Sequence, residues 1–463
     1  MTRNIRRLAT YLLVAFFVVS IGLAWWQVVE ADELSAREDN PEVIFLRRHA
    51  LRGTIFDANG EVLASSQPGD DFTRRVYADT AFTHAIGYAS LALGTTGVER
   101  AYDGFLTGRS DPNPLRQVVD EVLEREPQPN DLRLTLDRRL QDFAAEQLAG
   151  QPGSVVALDP RTGAVLAMVS TPTFDANPLS DEPEPATAAL RAIEDQPSAP
   201  LVNRPLDGLY VPGSIMKVVT TAAALEAGVI RADTTFADQP REEVEGLVVQ
   251  GFTITEHDLG GIQPQLWPLS EALQVSSNIY FAHVGLEMGG ERYLDFARRF
   301  GFCERLRVGP ADHALGVAAS QVTPAADDGS PCRPFADDVE LASAAFGQAA
   351  VQATPMQFAL VAATIANDGV MPEPYVVADV LAHSADGTPG DVRDHHNPGG
   401  GRRVVSPHTG AEVRSVMVDA VEAELGALFA GAGAVDLYGI SGVDTAGKTG
   451  TAQRGEGLPP HSW

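Results

Sequence analysis

Lysine is almost missing from this chain. Of its 34 lysine and arginine residues only two are lysines, Lys217 and Lys448. Lysine is normally among the commonest residues of globular proteins. Burial can remove its proton under protein conditions, whereas arginine stays charged. The two positions that keep lysine are therefore candidates for chemistry that needs a titratable amine.

Cysteine and positive charge are also scarce. Cys303 and Cys332 are the two cysteines; outside the cytoplasm they can form one disulfide, and two free buried thiols are an equal alternative. The formal net charge of −28 argues against a nucleic-acid partner, because phosphates would be repelled. His395-His396 lacks a third ligand at suitable spacing, so we expect no metal there and no cofactor elsewhere.

One long apolar run stands near the N-terminus. Residues 8–27 carry no charge, three arginines precede them, and acidic residues follow from Glu30. Such a run can span a bilayer, and the basic flank places the N-terminus inside. A cleaved signal peptide is the alternative, but no small-x-small cleavage site follows the run. We predict a cytoplasmic tail at 1–7, a single membrane anchor at 8–29 and an extracytoplasmic remainder.

The remainder is long enough for two domains. The Pro-rich linker at 126–129 divides it into residues 30–130 and residues 131–463. Two stretches read as surface segments: residues 176–200 are acidic and rich in Pro and Ala, and residues 383–403 mix Gly, Pro, His and Asp.

Several local patterns predict regular structure. Residues 52–64 indicate two strands around an Asn-Gly turn, and residues 94–106 a turn followed by a helical stretch. Asp137 predicts the N-cap of a helix that runs to about Leu148. Residues 154–169 predict a β-hairpin.

The first chemical pattern is Ser214-x-x-Lys217. Pro212-Gly213 interrupts the chain, and an Ala-rich apolar run up to Gly228 predicts a buried helix. Ser214 would then stand at the helix N-terminus with Lys217 on the same face. A serine nucleophile needs a base, and a buried lysine whose pKa falls below about 10.4 can act as one. The pattern is common, so alone it is weak evidence.

The second pattern is Ser276-Ser277-Asn278, in a loop between the predicted helices 269–274 and 279–288. Ser276 could relay protons and Asn278 could bind a substrate carbonyl. Locally, ordinary helix capping by serine or asparagine is the better explanation of these residues.

The third pattern is Lys448-Thr449-Gly450-Thr451. With Gly442 it matches the G-x-x-x-x-G-K-[ST] phosphate loop, but the Gly- and Pro-rich residues that follow cannot build the helix which that loop requires. The other interpretation is a strand along which an extended substrate pairs. Lys448 and Thr449 could then hold a carboxylate, and the N–H groups of Ser214 and Thr451 could form an oxyanion hole.

The order and spacing of the three patterns resemble those of class B penicillin-binding proteins, which are monofunctional peptidoglycan D,D-transpeptidases. The resemblance covers nearly the whole chain. The anchor, residues 52–64 and residues 94–99 resemble the membrane-proximal pedestal, and residues 203–217 the approach to the active site. Residues 346–348 and 354–357 are similar to a further segment of the family.

The resemblance implies an α/β (α+β) fold with a transpeptidase/β-lactamase-like domain, in which an antiparallel sheet lies between helical layers. It implies that Ser214 attacks a D-Ala-D-Ala stem peptide, with Lys217 as base, and that an amine of a second stem takes the acyl group. Ser276 and Asn278 would shuttle protons and position substrate. Lys448 would be a further catalytic residue. The substrate-binding residues would be Thr449, Gly450 and Thr451, and Lys448, Thr449 and Thr451 would bind the terminal carboxylate and the oxyanion. β-Lactams would acylate Ser214, and a membrane-embedded glycan polymerase is a possible partner.

Two departures from the family pattern bear on activity. Ala349 stands where Gly-Gln-Gly is usual, and the chain stops at Trp463, where the family continues with further strands and a helix. We therefore expect a truncated sequence. A non-catalytic scaffold or β-lactam sensor and a D,D-carboxypeptidase remain alternatives. A β-lactamase would not need the pedestal, and a bifunctional enzyme would need more residues before the second domain.

Overall fold

The computed structural model describes residues 2–25, 48–112, 123, 128–259, 261–384, 386–422, 445–452 and 459–463. Helix α1 covers Thr2–Ala24. Within these described residues, no helix has both the length and the hydropathy needed to cross a bilayer. The anchor at residues 8–29 thus stays a prediction from the sequence. Its last residues, and the first half of the predicted linker, lie outside the described ranges.

The helices after α1 are mostly short, and those of ten residues or more all begin at Arg138 or later. They are α2 Thr83–Ile86, α3 Gly97–Ala101, α4 Asp103–Leu106, α5 Arg138–Gln147, α6 Pro183–Glu194, α7 Arg204–Asp207, α8 Met216–Glu226, α9 Gln239–Glu245, α10 Leu269–Gln274, α11 Asn278–Met288, α12 Gly290–Arg299, α13 Asp338–Ala345, α14 Pro355–Ala366 and α15 Pro407–Glu422.

The strands are equally short and fall into several sheets. They are β1 Ile55–Phe56, β2 Val62–Gln67, β3 Arg74–Tyr77, β4 Ala89–Ser90, β5 Gly94–Thr95, β6 Asn130–Leu134, β7 Gly153–Leu158, β8 Val165–Thr171, β9 Leu247–Val249, β10 Phe252–Ile254, β11 Arg307–Val308, β12 Leu315–Gly316, β13 Val370–Met371, β14 Val377–Ala382, β15 Val392–His395, β16 Arg402–Arg403, β17 Thr451–Ala452 and β18 His461–Ser462.

The largest sheet joins the two parts of the chain. Its strand order is β15-β14-β6-β1-β2-β3. The predicted hairpin of β1 and β2 is confirmed, with Gly60 in its turn at φ 87°. Within this sheet β1 pairs in parallel with β6, whereas its other pairings are antiparallel. The reason is that β1 and β6 are not consecutive: the chain makes a crossover through residues 62–129 between them, and only strands joined by a tight turn must be antiparallel.

The predicted hairpin of residues 154–169 is confirmed as β7 and β8, which pair antiparallel. The helix capped by Asp137 is confirmed as well: its carboxylate accepts the Arg139 N–H. β8 packs against α5 and β7 against α14. Among the described residues β17 pairs with β18 and not with this hairpin. The expected single sheet between helical layers is therefore observed as separate small sheets.

Two segments expected to be surface loops contain regular structure. Residues 176–200 hold α6, in which Pro183 at the first turn supports the start of the helix. Residues 383–403 hold β15, which pairs with β14, and β16, which pairs with β13. The ring of His395 lies 2.6 Å from an Asp379 oxygen. Turn-forming composition alone did not reveal these strands because their order comes from pairing with β14 and β13, which lie outside the segment.

Helix α8 lies at the centre of the larger core. Its residues from Met216 to Ala224 are all buried. α11, α12, α13 and α15 pack around it. The two cysteines, Cys303 and Cys332, form a disulfide, which decides between the two states left open by the sequence. Because α8 is enclosed on all these sides, the residues of its first turn have a defined position.

Candidate active site

Ser214 lies in a single 3₁₀ turn, Gly213–Ile215, immediately before α8. We expected it at the N-terminus of the α-helix; the tighter turn places it just outside, where its side chain is partly exposed. Lys217, in the first turn of α8, has 0% exposure. Its Nζ atom lies 3.0 Å from Ser214 Oγ. The predicted contact between the two side chains is present.

Ser276 and Asn278 lie against the same amine. Lys217 Nζ is 3.2 Å from Ser276 Oγ and 2.9 Å from Asn278 Oδ1, and it also contacts the Ser276 carbonyl oxygen. Ser276 adopts φ 59°, in the left-handed region, between α10 and α11. That conformation is uncommon for a residue with a side chain and often marks a functional position. It lets both the hydroxyl and the carbonyl of Ser276 reach Lys217.

Lys448 approaches from the opposite side. Its Nζ atom lies 3.0 Å from Ser276 Oγ and 3.1 Å from the Thr449 carbonyl oxygen. The hydroxyl of Ser276 thus stands between the two lysines of the chain. Three segments that are far apart in sequence meet at this hydroxyl, and each was singled out by its own pattern.

The predicted strand at Lys448 is shorter than expected. Only Thr451 and Ala452 are in β17, and residues 445–450 have no regular structure. Thr449 and Thr451 are exposed, and Gly450 is buried. A Cβ atom on Gly450 would lie 2.7 Å from the Pro212 carbonyl oxygen. The strand therefore lies directly against the turn of Ser214, and this close packing requires a glycine at position 450.

The two lysines have lowered pKa values. Complete burial, and next the nearby charge of Lys448, lower the pKa of Lys217 well below its usual value, although Glu256 opposes this. Burial lowers the pKa of Lys448 to about 8. Lys217 is therefore able to be neutral and accept a proton from Ser214, while Lys448 keeps much of its positive charge near neutral pH.

The turn of Ser214 rests on residues 347–353. The Gly213 N–H donates to the Gly347 carbonyl oxygen at 3.0 Å, and Tyr210 and Ala353 exchange two backbone hydrogen bonds. Ala349 has φ 59°, a conformation that glycine adopts at lower cost than alanine. The alanine at this position is accommodated at a cost in strain, and the backbone around it still supports the turn of Ser214.

Comparison with known proteins identifies this arrangement. Residues 153–461 match the penicillin binding protein transpeptidase domain, and residues 52–132 match the penicillin binding protein A dimerisation domain. The chain belongs to the class B penicillin-binding proteins.

Individual relatives are similar along almost their whole length. Peptidoglycan D,D-transpeptidase PbpA of Mycolicibacterium smegmatis is 34% identical, over 100% of this chain and 90% of that protein. Penicillin-binding protein A from M. tuberculosis, solved as an imipenem acyl-enzyme complex, has a TM-score of 0.76 at 31% identity and covers 90% of this chain and 91% of its own. Its penicillin G acyl-enzyme complex has a TM-score of 0.72 at 31% identity, covering 89% and 88%.

One residue beside the site of this penicillin-binding protein was missed from the sequence. The carboxylate of Glu256 is almost fully buried and accepts hydrogen bonds from the backbone N–H groups of Asn278 and Ile279 and from the hydroxyl of Ser277. Glu256 belongs to no motif and lies between β10 and α10 without regular structure. Only its position in the folded chain reveals it.

Proposed function

We propose that this protein is a peptidoglycan D,D-transpeptidase that works through a serine acyl-enzyme and is inhibited by β-lactams. One observation carries the proposal: Ser214 Oγ lies 3.0 Å from the amine of Lys217, a lysine with no exposed surface. A neutral amine at hydrogen-bonding distance can activate a hydroxyl that is otherwise a weak nucleophile. The names of the relatives and the acyl-enzyme complexes support the same chemistry.

In the acylation step, neutral Lys217 takes the proton of Ser214 while Oγ forms a bond to the carbonyl carbon of the penultimate D-alanine. The bond to the terminal D-alanine then breaks. The proton on Lys217 passes through the hydroxyl of Ser276, which contacts both lysines, to the amine of the leaving D-alanine. The charged amine of Lys448, with Thr449, binds the terminal carboxylate. The N–H groups of Ser214 and Thr451 stabilise the oxyanion beside Gly450.

In the second step an amine of another stem peptide attacks the acyl-enzyme. Lys217 takes the proton of this amine and returns it to Ser214 Oγ as the ester bond breaks, and the new amide leaves. Asn278, whose Oδ1 is 2.9 Å from Lys217 Nζ, keeps the base in place and offers its amide to the substrate. Water in place of the amine would give a D,D-carboxypeptidase.

The remaining parts of the proposal come from the sequence and the family. Residues 8–29 would anchor the protein in the cell membrane with residues 1–7 in the cytoplasm. Residues 30–130 would form the pedestal, and residues 131–463 the extracytoplasmic transpeptidase domain. A membrane-embedded glycan polymerase would be a partner, and co-purification of the full-length protein with such a polymerase is the measurement that supports or removes this part.

Intact-mass spectrometry after exposure to benzylpenicillin tests the acyl-enzyme. We expect a covalent adduct on the full-length protein that maps to the peptide containing Ser214. The adduct should vanish in Ser214→Ala and persist in Ser330→Ala, which removes an exposed serine hydroxyl in a turn. No adduct on the folded protein, or an adduct on another residue, would favour the non-catalytic scaffold.

A second assay separates transpeptidase from carboxypeptidase. A synthetic stem peptide ending in D-Ala-D-Ala is supplied with an acceptor amine, and the products are weighed. Transfer of the acyl group to the amine supports the proposal. Hydrolysis without transfer, at any concentration of amine, would assign a D,D-carboxypeptidase instead.

A further inference from the structure

The carboxylate of Glu256 is placed at the start of the helix that carries Asn278. Its Oε1 atom accepts the Asn278 N–H at 2.7 Å, and its Oε2 atom accepts the Ser277 hydroxyl at 2.7 Å and the Ile279 N–H at 3.1 Å. All three donors belong to the residues that directly follow Ser276. A carboxylate at a helix N-terminus is favourable because it pairs with N–H groups that have no partner within the helix.

Charged groups reach Glu256 from several elements. Lys217 of α8 attracts it, with Lys448 beyond Lys217 on the far side of Ser276. The ring of His257 lies 2.9 Å from Oε1, and Glu243 of α9 shares the Ser277 hydroxyl. Two amines and two carboxylates therefore surround the Ser276–Asn278 loop, and the site depends on which carboxylate carries the negative charge.

Glu243 shows the features of a protonated acid. Its Oε1 accepts from Trp267 Nε1 at 2.7 Å and from Gln239 Nε2 at 3.0 Å, while its Oε2 is buried without a partner. Gln239 Oε1 is also buried without a partner. A buried Oε2 that accepts no hydrogen bond favours the neutral form of Glu243, and burial raises the pKa of Glu243 in the same direction.

Glu256 shows the opposite features. Both of its oxygens accept from N–H or O–H donors, whereas Oε2 of Glu243 accepts from none, and the Ser277 hydroxyl lies closer to Glu256, at 2.7 Å, than to Glu243, at 3.3 Å. Burial alone would raise the pKa of Glu256, but the contact with His257, the charge of Lys217 and the hydrogen bonds from Asn278 and Ser277 outweigh it and lower the pKa to about 2.

We propose that Glu256 is the anionic positioning residue of this active site, holding the Ser276–Asn278 loop against Lys217 and stabilising the protonated form of that lysine, while Glu243, which shares the Ser277 hydroxyl, stays neutral. The inference rests on the proposed acylation by Ser214. Glu256 does not touch the reacting atoms. It acts through Asn278, whose backbone it binds and whose side chain contacts Lys217.

The test is the pH dependence of the second-order rate constant for acylation of the full-length protein by benzylpenicillin. The variant Glu256→Gln keeps the size of the side chain and removes its charge. Because Glu256 raises the pKa of Lys217, its loss should lower that pKa and move the acidic limb of the profile down by about one pH unit or more. The plateau rate should fall at least about tenfold, because an amide cannot accept all three hydrogen bonds.

The matched control is Glu243→Gln. A glutamine reproduces a protonated glutamic acid, with one acceptor oxygen and one donor, so its pH profile should stay within about twofold of the wild-type profile. The variant Glu256→Asp keeps the charge and should restore the position of the acidic limb even where its plateau rate is lower. Thermal unfolding of each variant separates loss of the fold from loss of charge.

The outcomes are distinct. An unchanged acidic limb in a folded Glu256→Gln variant would overturn the inference, and so would a shift of that limb in Glu243→Gln. If Glu256→Gln does not fold, the inference is decided by Glu256→Asp and Glu243→Gln, and a displaced limb in either overturns it. Absence of acylation in the wild-type protein would instead overturn the proposed function.

Discussion

Gly347 offers a sharp test of how the nucleophile is positioned. Its carbonyl oxygen accepts the Gly213 N–H, one residue before Ser214. Gly347 has φ 83°, and a Cβ atom added to it would lie 1.9 Å from the Gly213 carbonyl oxygen and 2.8 Å from Met216 Cβ. Neither neighbour is the flexible end of a side chain. The substitution Gly347→Ala therefore has to displace the backbone that carries Ser214.

The magnitude follows from the size of that displacement. Real Cβ contacts essentially never fall under 3.0 Å, so the turn at Gly213 has to move by about 1 Å. A misplacement of about 1 Å at a reacting group can reduce the rate about 100-fold. Overpacking of this kind also lowers the free energy of unfolding by about 1–3 kcal/mol. We expect acylation by benzylpenicillin to fall about 100-fold in Gly347→Ala.

Gly228→Ala is the matched control. Gly228 ends α8, the helix that follows Ser214, at φ 66°, and an added Cβ atom meets nothing within 4 Å. This variant bears only the backbone cost of alanine in the left-handed region, about 1 kcal/mol of unfolding free energy. Stopped-flow acylation kinetics and thermal unfolding are measured for both variants. Acylation of Gly347→Ala within about threefold of wild type would refute the reasoning, and so would an equal loss in Gly228→Ala.

Two further predictions concern charge. Lys448 loses its proton as the pH rises through about 8, so the rate of acylation by benzylpenicillin, a carboxylate, should decline above that pH. The variant Lys448→Arg should remove the decline because arginine stays charged. A wild-type rate that stays flat from about pH 7 to about pH 10 would contradict this prediction. Glu99 is fully buried between Arg75 and Arg52. The variant Glu99→Gln should therefore lower the free energy of unfolding, measured by urea denaturation at neutral pH, by about 3–5 kcal/mol. The variant Glu184→Gln, at an exposed position, should change it by less than about 0.5 kcal/mol.

The pH dependence of the Glu99 effect has a definite sign. Despite its burial, the positive charges of Arg75 and Arg52 lower the pKa of Glu99 below its ordinary value of 4.5. Its contribution to stability is therefore present above the pKa of the unfolded chain and is lost as the pH falls through the lower pKa of the folded state. The difference between wild type and Glu99→Gln should shrink in acid, and a difference that grows there would contradict the assignment.

Whether a contact of the site could be predicted depends on how far apart its two residues are in sequence. The Ser214–Lys217 contact could be predicted, because residues three apart in a helical segment share a face. Lys448 meets Ser276 across 172 residues, and nothing local encodes that contact; the family resemblance supplied it. Glu256 escaped notice because its role comes from lying opposite the start of α11, which no periodicity or motif records.

The elements of the fold that could be predicted are likewise those whose signals lie next to them in sequence. The β7–β8 hairpin and the helix after Asp137 follow from turns and caps that lie next to them in sequence. The parallel pairing of β1 with β6 joins residues that are 77 positions apart, Ile55 and Leu132. Strand content at β15 was missed for a different reason: its partner, β14, lies close in sequence but gives β15 an order that its own mixed composition does not indicate.

The six-stranded sheet has a mechanical consequence. Its strands β1, β2 and β3 belong to the part that matches the dimerisation domain, and β14 and β15 to the part that matches the transpeptidase domain, with β6 between them. The two parts therefore share one ladder of backbone hydrogen bonds in place of a hinge. A rotation between them would have to break the pairing of β6 with β1 or with β14. A force that pulls the two parts apart would therefore act first on these backbone hydrogen bonds.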